Sequence, residues 1–136
     1  MVWLRAFIAG FFSTLIFHQG MLALLYFGKL VPRAPFAMAA VPPLGVPSVI
    51  SLAFWGGLWG VLLWAMIRGQ SGGTHWLLAV VLGALLPSLI ALLVVFPLKG
   101  MAFAGNWDPK IWVGAALLNG AWGFGVALLM QWLGRR

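Results

Sequence analysis

Ala53-Phe54-Trp55-Gly56-Gly57-Leu58-Trp59-Gly60 returns near the other end of the chain as Ala116-Leu117-Leu118-Asn119-Gly120-Ala121-Trp122-Gly123. Both copies lie inside long apolar runs. At about 100° per residue a helix gathers Ala53, Gly56, Gly57 and Gly60 on one face, and likewise Ala116, Asn119, Gly120 and Gly123. In lipid a leucine side chain is no more excluded than a lipid tail, so helices associate where small residues let their backbones approach, as in Gly56-x-x-x-Gly60. The two stretches therefore read as close-packing seams of membrane helices, with Gly56, Gly57, Gly60, Gly120 and Gly123 as the helix-packing residues.

Composition points the same way. Of 136 residues, 64% are hydrophobic and 7% charged, and the mean hydropathy is +1.09, whereas a soluble domain carries about 25% charged residues. Four runs reach the roughly 20 residues that a helix needs to cross the hydrocarbon core: Ala6 to Phe27, Ser48 to Ile67, Trp76 to Phe96 and Ile111 to Trp132. Lipid offers an open backbone no hydrogen-bond partners, so each run is expected to be an α-helix. The expected fold is all-α, an integral membrane four-helix bundle in a single membrane domain over residues 1–136.

The recurrence suggests two similar halves. An offset of 63 residues carries Ala53 onto Ala116, Gly57 onto Gly120, Trp59 onto Trp122 and Gly60 onto Gly123, and sets Gly56 opposite Asn119. The first and third runs match more weakly, Ser13-Thr14-Leu15-Ile16 against Pro87-Ser88-Leu89-Ile90, with the register shifted by about ten residues and the difference absorbed in the longer first loop. Units 1–68 and 74–136 each contain two spans, so the copies keep a parallel orientation about an axis along the membrane normal.

The formal charge of +7 sits at the ends of the apolar runs. That is the distribution of cytoplasmic positive charge and lipid headgroup contact, and it argues against nucleic acid as a partner. Arg5, Arg68, Arg135, Arg136 and the connection Gly69 to His75 fall on one side; Lys29, Arg33, Lys99, Lys110 and Asp108 fall on the other. The arginine cluster, His75 and the N-terminal amine tip the balance toward both termini being cytoplasmic in a multi-pass inner-membrane protein. The apolar run after Arg5 is too long for a signal core and lacks a cleavage site at the right distance, so it reads as an uncleaved first span. Trp3, Trp76 and Trp132 at one end, and Trp107 and Trp112 at the other, form an interfacial belt. With no cysteine, disulfides, iron–sulfur clusters and thiol chemistry are excluded.

Two loops carry further information. Leu30 to Pro47 holds Pro32, Pro35, Pro42, Pro43 and Pro47 around apolar Phe36-Ala37-Met38-Ala39-Ala40-Val41, so it is expected to lie at the interface or fold back over the helices. In the second loop Asp108 precedes Pro109, which matches an N-cap followed by proline at the first helical position. The only acid in the chain is thus assigned a structural role.

An ionisable residue inside a span is a candidate functional residue, and His18 is the clearest one. Counting from Ala6 places it near mid-membrane, level with Gly57 to Trp59, Pro87 and Asn119 to Trp122. His18 is expected to meet Asn119 or an indole nitrogen there. The candidate ligand-binding residues are His18, Asn119, Trp59, Trp122 and Gln19, with Gln19 about 100° round the helix from His18 and free to face another neighbour. A haem between His18 and His75 is disfavoured by their difference in depth. No metal site is expected from so few ligands, and no nucleophile–base pair exists within a helix, so no catalysis is expected. No cofactor is predicted, and a lipid or quinone is the ligand class left open. These features suggest a small polytopic accessory or structural subunit, or a lipid- or quinone-contacting partner of a larger membrane assembly. The competing expectation is a small homo-oligomeric transporter or channel with a midplane site around His18 and Asn119.

Overall fold

The structure is a computed structural model, and it describes residues 1–41 and 44–134. Pro42 and Pro43 of the first loop, and the terminal Arg135 and Arg136 counted in the charge balance, lie outside the described residues. Among those described, four helices are long and apolar enough to cross a membrane: α1, Val2–Phe27; α2, Ser48–Ile67; α3, Gly72–Leu98; and α4, Pro109–Leu133. Each of the four expected runs lies within one of these helices. α1 and α3 overrun their expected starts by about one turn because Val2-Trp3-Leu4 and Gly72-Gly73-Thr74 continue the helical ladder. α3 also runs through Pro97, which sits just after the π turn Ala91–Val95, in a helical segment of only three residues.

Backbone proximity, rather than side-chain bulk, sets the register. α1 runs along α2 and meets α4, while α3 runs along α4. Between α1 and α2, Gly10 faces the Gly56 carbonyl, and a Cβ added at Gly60 would stand 2.7 Å from the Ala6 carbonyl oxygen. Between α3 and α4, a Cβ at Gly83 would stand 2.9 Å from Gly123 Cα and 3.0 Å from the Asn119 carbonyl oxygen, and Gly123 faces the Ala79 carbonyl. Gly57 makes room for the Phe7 ring, with 2.6 Å from its Cβ position to the ring edge. Gly56, Gly57, Gly60 and Gly123 therefore do occupy tight seams. Gly120 differs: a Cβ there would meet Ala84 Cβ at 3.6 Å, an ordinary contact, so its neighbours have room for a methyl group.

The most buried cluster joins Ala6, Ala9, Leu63, Trp64, Ile67, Ala79, Trp122, Val126, Ala127 and Met130. It occupies the end of the molecule that carries the start of α1, the end of α4 and the α2–α3 connection. Large apolar residues such as Phe54, Trp55, Leu58 and Leu62 point outward, as befits a surface solvated by acyl chains, where outward leucines cost nothing. Trp55 belongs to this outer surface. His75 lies inside the first turn of α3, almost fully buried, with Nδ1 3.1 Å from the Ile67 carbonyl. It adds a second donor at the end of α2, where the Ile67 carbonyl also accepts from the Gln70 N–H at 3.0 Å.

Both odd-numbered helices contain a π turn, Thr14–His18 in α1 and Ala91–Val95 in α3. In α1 the Thr14 hydroxyl donates to the Gly10 carbonyl at 2.9 Å, a back-bond that competes with the regular ladder. In α3, Pro87 removes the N–H that the Gly83 carbonyl would otherwise accept.

Candidate functional site

The polar residues of the membrane interior fall into three groups. Midway along α1, Ser13 Oγ donates to the Trp122 carbonyl at 2.6 Å, and Trp122 Nε1 donates to the Gly10 carbonyl at 3.1 Å. This reciprocal pair closes α1 onto α4, and Ser13, Thr14 and Trp122 are all buried. Between α3 and α4, Asn119 Nδ2 donates to Ser88 Oγ at 2.9 Å.

The third group lies beneath the proline-rich loop. Gln19 is buried in the wall of α1. Its Oε1 accepts from the Phe36 backbone N–H at 2.7 Å, and its Nε2 stands 3.0 Å from His18 Nδ1. One residue further along the loop, the Ala37 carbonyl accepts from Val49 N at 2.9 Å, and the Ala39 carbonyl accepts from Ser48 N at 2.8 Å. α2 begins after Pro47 without a side-chain cap. Its first N–H groups need acceptors, and the loop backbone supplies them. A short hairpin, β1 (Ala40–Val41) with β2 (Val46–Pro47), returns the chain into α2. The loop thus folds back and bridges α1 to α2, as its apolar centre suggested. Phe36 sits there with a left-handed backbone, φ +55°, in a region that L-residues adopt at a cost.

This geometry separates the residues that sequence reasoning brought together. His18 meets neither Asn119 nor an indole; its partner is its own neighbour Gln19. The tight seams at Ala6 and Gly10 place Ser13 and Thr14, not His18, beside Trp122 and Gly56, leaving His18 about a turn closer to the loop. Gln19 faces His18 and the loop of its own chain. A π turn accommodates an extra residue per turn, so side chains leaving it are set at a smaller angle than the regular helix assumed for Gln19. Trp59 is half-buried against the core cluster. Ser13, Ser88 and Phe36 were not among the candidates, although Ser13 and Ser88 both stand in the weakly matching segments of the first and third runs. Asp108 caps α4 as expected, its Oδ1 accepting from Lys110 N at 3.0 Å.

A shallow apolar groove of about 440 Å³ runs across the outer face of α4, between Phe17 and Met21 of α1 and Val80 and Ala84 of α3, with Ala116 and Gly120 as its floor. Among the described residues no cluster of three or more potential metal ligands occurs. No family model matches the chain, and neither the curated proteins nor the solved structures give a significant match.

Proposed function

We propose that this protein acts by association within the membrane, as an accessory subunit of a larger inner-membrane assembly, with both termini cytoplasmic and no catalysis of its own. The observation that carries this reading is the groove over α4. Ala116 and Gly120, small residues at four-residue spacing, line it; Gly120 is buried beside Val80 and Ala84 of α3, and no helix among the described residues fills the groove between α1, α3 and α4. Small residues at four-residue spacing favour close helix–helix contact, so a transmembrane helix of a partner is the occupant the groove suits. A transporter or channel site at His18 and Asn119 loses support, because each residue is bonded elsewhere and the centre of α1 and α4 is closed by Ser13 and Trp122.

Within this reading the four spans form a bundle of two related halves. Gly10 in the α1–α2 seam has its counterpart in Gly83 of the α3–α4 seam, and Gly60 has its counterpart in Gly123. Each pair makes the same backbone approach.

Purification from native membranes in a mild detergent tests the proposal. The wild-type chain is expected to bring down a larger membrane complex. Ala116→Leu, which fills the groove from a half-buried lining position, is expected to release the chain while leaving its helicity intact. Recovery of the wild-type chain only as a free monomer or homo-oligomer would sink the idea.

A further inference from the structure

The hydrogen bonds beneath the loop fix where His18 carries its proton. A backbone N–H can only donate, so the Phe36 N–H, 2.7 Å from the Gln19 amide, must face its oxygen. The Gln19 NH₂ is then the group turned toward His18, 3.0 Å away. An NH₂ can only donate, so Nδ1 of His18 must be the acceptor, and the ring proton lies on Nε2. Nδ1 is therefore occupied, while Nε2–H is a donor with no acceptor among the described residues. In a medium without water such a donor stays unsatisfied unless something lipophilic brings an acceptor to it. His18 is only partly enclosed.

We infer that His18, held by Gln19 and Phe36 as the Nε2–H tautomer, is a binding site for a carbonyl oxygen of a membrane lipophile, either a glycerolipid ester or a quinone. The loop backbone, through Gln19, makes the ring a donor at this position instead of a proton acceptor. The site is separate from the groove on α4, and its occupancy does not depend on a partner helix.

The test uses the full-length chain labelled with ¹⁵N-histidine, with the His18 signals assigned by comparison with His75→Gln. In vesicles of ether-linked phosphatidylethanolamine and phosphatidylglycerol, which lack ester carbonyls, His18 is expected to show a protonated Nε2 and a bare Nδ1. The expected tautomer ratio is about five, the ratio imposed by one net hydrogen bond of ordinary strength. Ester-linked lipids of the same headgroups form one arm, and ether-linked lipids with added decylubiquinone form the other. A shift of the Nε2–H resonance in the first arm identifies the lipid ester, and a shift confined to the second identifies the quinone. Gln19→Glu, whose carboxylate can only accept, is expected to reverse the tautomer and abolish either shift. Gln19→Leu is a second variant, expected to leave mixed tautomers. A wild-type ring protonated on Nδ1 overturns the assignment. A resonance that moves in neither arm overturns the binding site.

Discussion

Trp122 stands with its indole nitrogen 3.1 Å from the carbonyl oxygen of Gly10 and donates to it, while its own carbonyl accepts from Ser13 at 2.6 Å. One residue of α4 is thus a donor and an acceptor to a single turn of α1. Hydrogen bonds between membrane helices are worth about 0.6 kcal/mol on average, so Ser13→Ala is expected to cost about that much. Trp122→Phe should cost about 1–3 kcal/mol, since it also removes buried ring atoms. Because the two bonds hold the same helix pair at the same turn, the losses should not add. A double-mutant cycle read by reversible unfolding in bicelles is expected to show coupling of about 0.5 kcal/mol or more. Strict additivity would mean that the two bonds do not act as a unit.

The seams predict opposite signs for chemically identical substitutions. Gly10→Ala would drive a methyl group into the Gly56 carbonyl, an overpacking expected to cost about 1–3 kcal/mol. Gly20→Ala, on the same helix, meets open space and is expected to be neutral or to stabilise by up to about 1 kcal/mol through helix propensity. Thermal melting of both variants in one detergent checks the pair. A Gly10→Ala variant as stable as wild type would show that the α1–α2 approach is not tight.

Lys29 ends α1 with φ +61°, while its N–H donates to the Tyr26 carbonyl and the next N–H donates to the Leu25 carbonyl. This is a Schellman-type closure with lysine where glycine is usual. α3 closes in the same way at Gly100, φ +75°. The order Gly28-Lys29 is thus the reverse of Lys99-Gly100. A left-handed conformation costs an L-residue about 1–2 kcal/mol, partly offset by the greater chain entropy of glycine when unfolded. Lys29→Gly is expected to raise stability by about 0.5–1 kcal/mol, and Gly100→Ala is expected to lower it by about 1 kcal/mol. Unfolding midpoints of the two variants measure this directly.

Hydropathy, the basic residues and the small-residue seams made the four helices legible, because those signals depend on each residue's own chemistry and on helical period. Asp108 and Pro109 were legible for the same reason. The site was not. The level of His18 was counted from an assumed start at Ala6, but α1 begins at Val2, and its register is set by where Gly10 meets Gly56 and Gly60, a relation between helices that no single run contains. The bond from Phe36 to Gln19 spans 17 residues and depends on a left-handed loop residue that nothing in Pro35-Phe36-Ala37 announces. Gly120, grouped with its neighbours by spacing alone, fell on the groove because small residues mark close approach without naming what approaches.

The place where the two seams differ gives the last prediction. At Gly56 the Thr14 hydroxyl occupies the space a Cβ would need, whereas at the matching position Asn119 reaches across to Ser88. Putting asparagine on the first seam and glycine on the second is therefore not a symmetrical exchange. Gly56→Asn must displace Thr14 and separate α1 from α2, with an expected cost of about 3 kcal/mol or more, at the upper end of overpacking. Asn119→Gly removes one bond between helices, worth about 0.6 kcal/mol, and about 0.4 kcal/mol of helix propensity, and it leaves Ser88 able to turn to a backbone carbonyl of its own helix. It should fold, insert and melt within a few degrees of the wild type. Equal damage from the two substitutions, read as melting temperature and folded yield after reconstitution, would show that the α1–α2 and α3–α4 seams tolerate substitution alike and that the Thr14 contact does not govern the first.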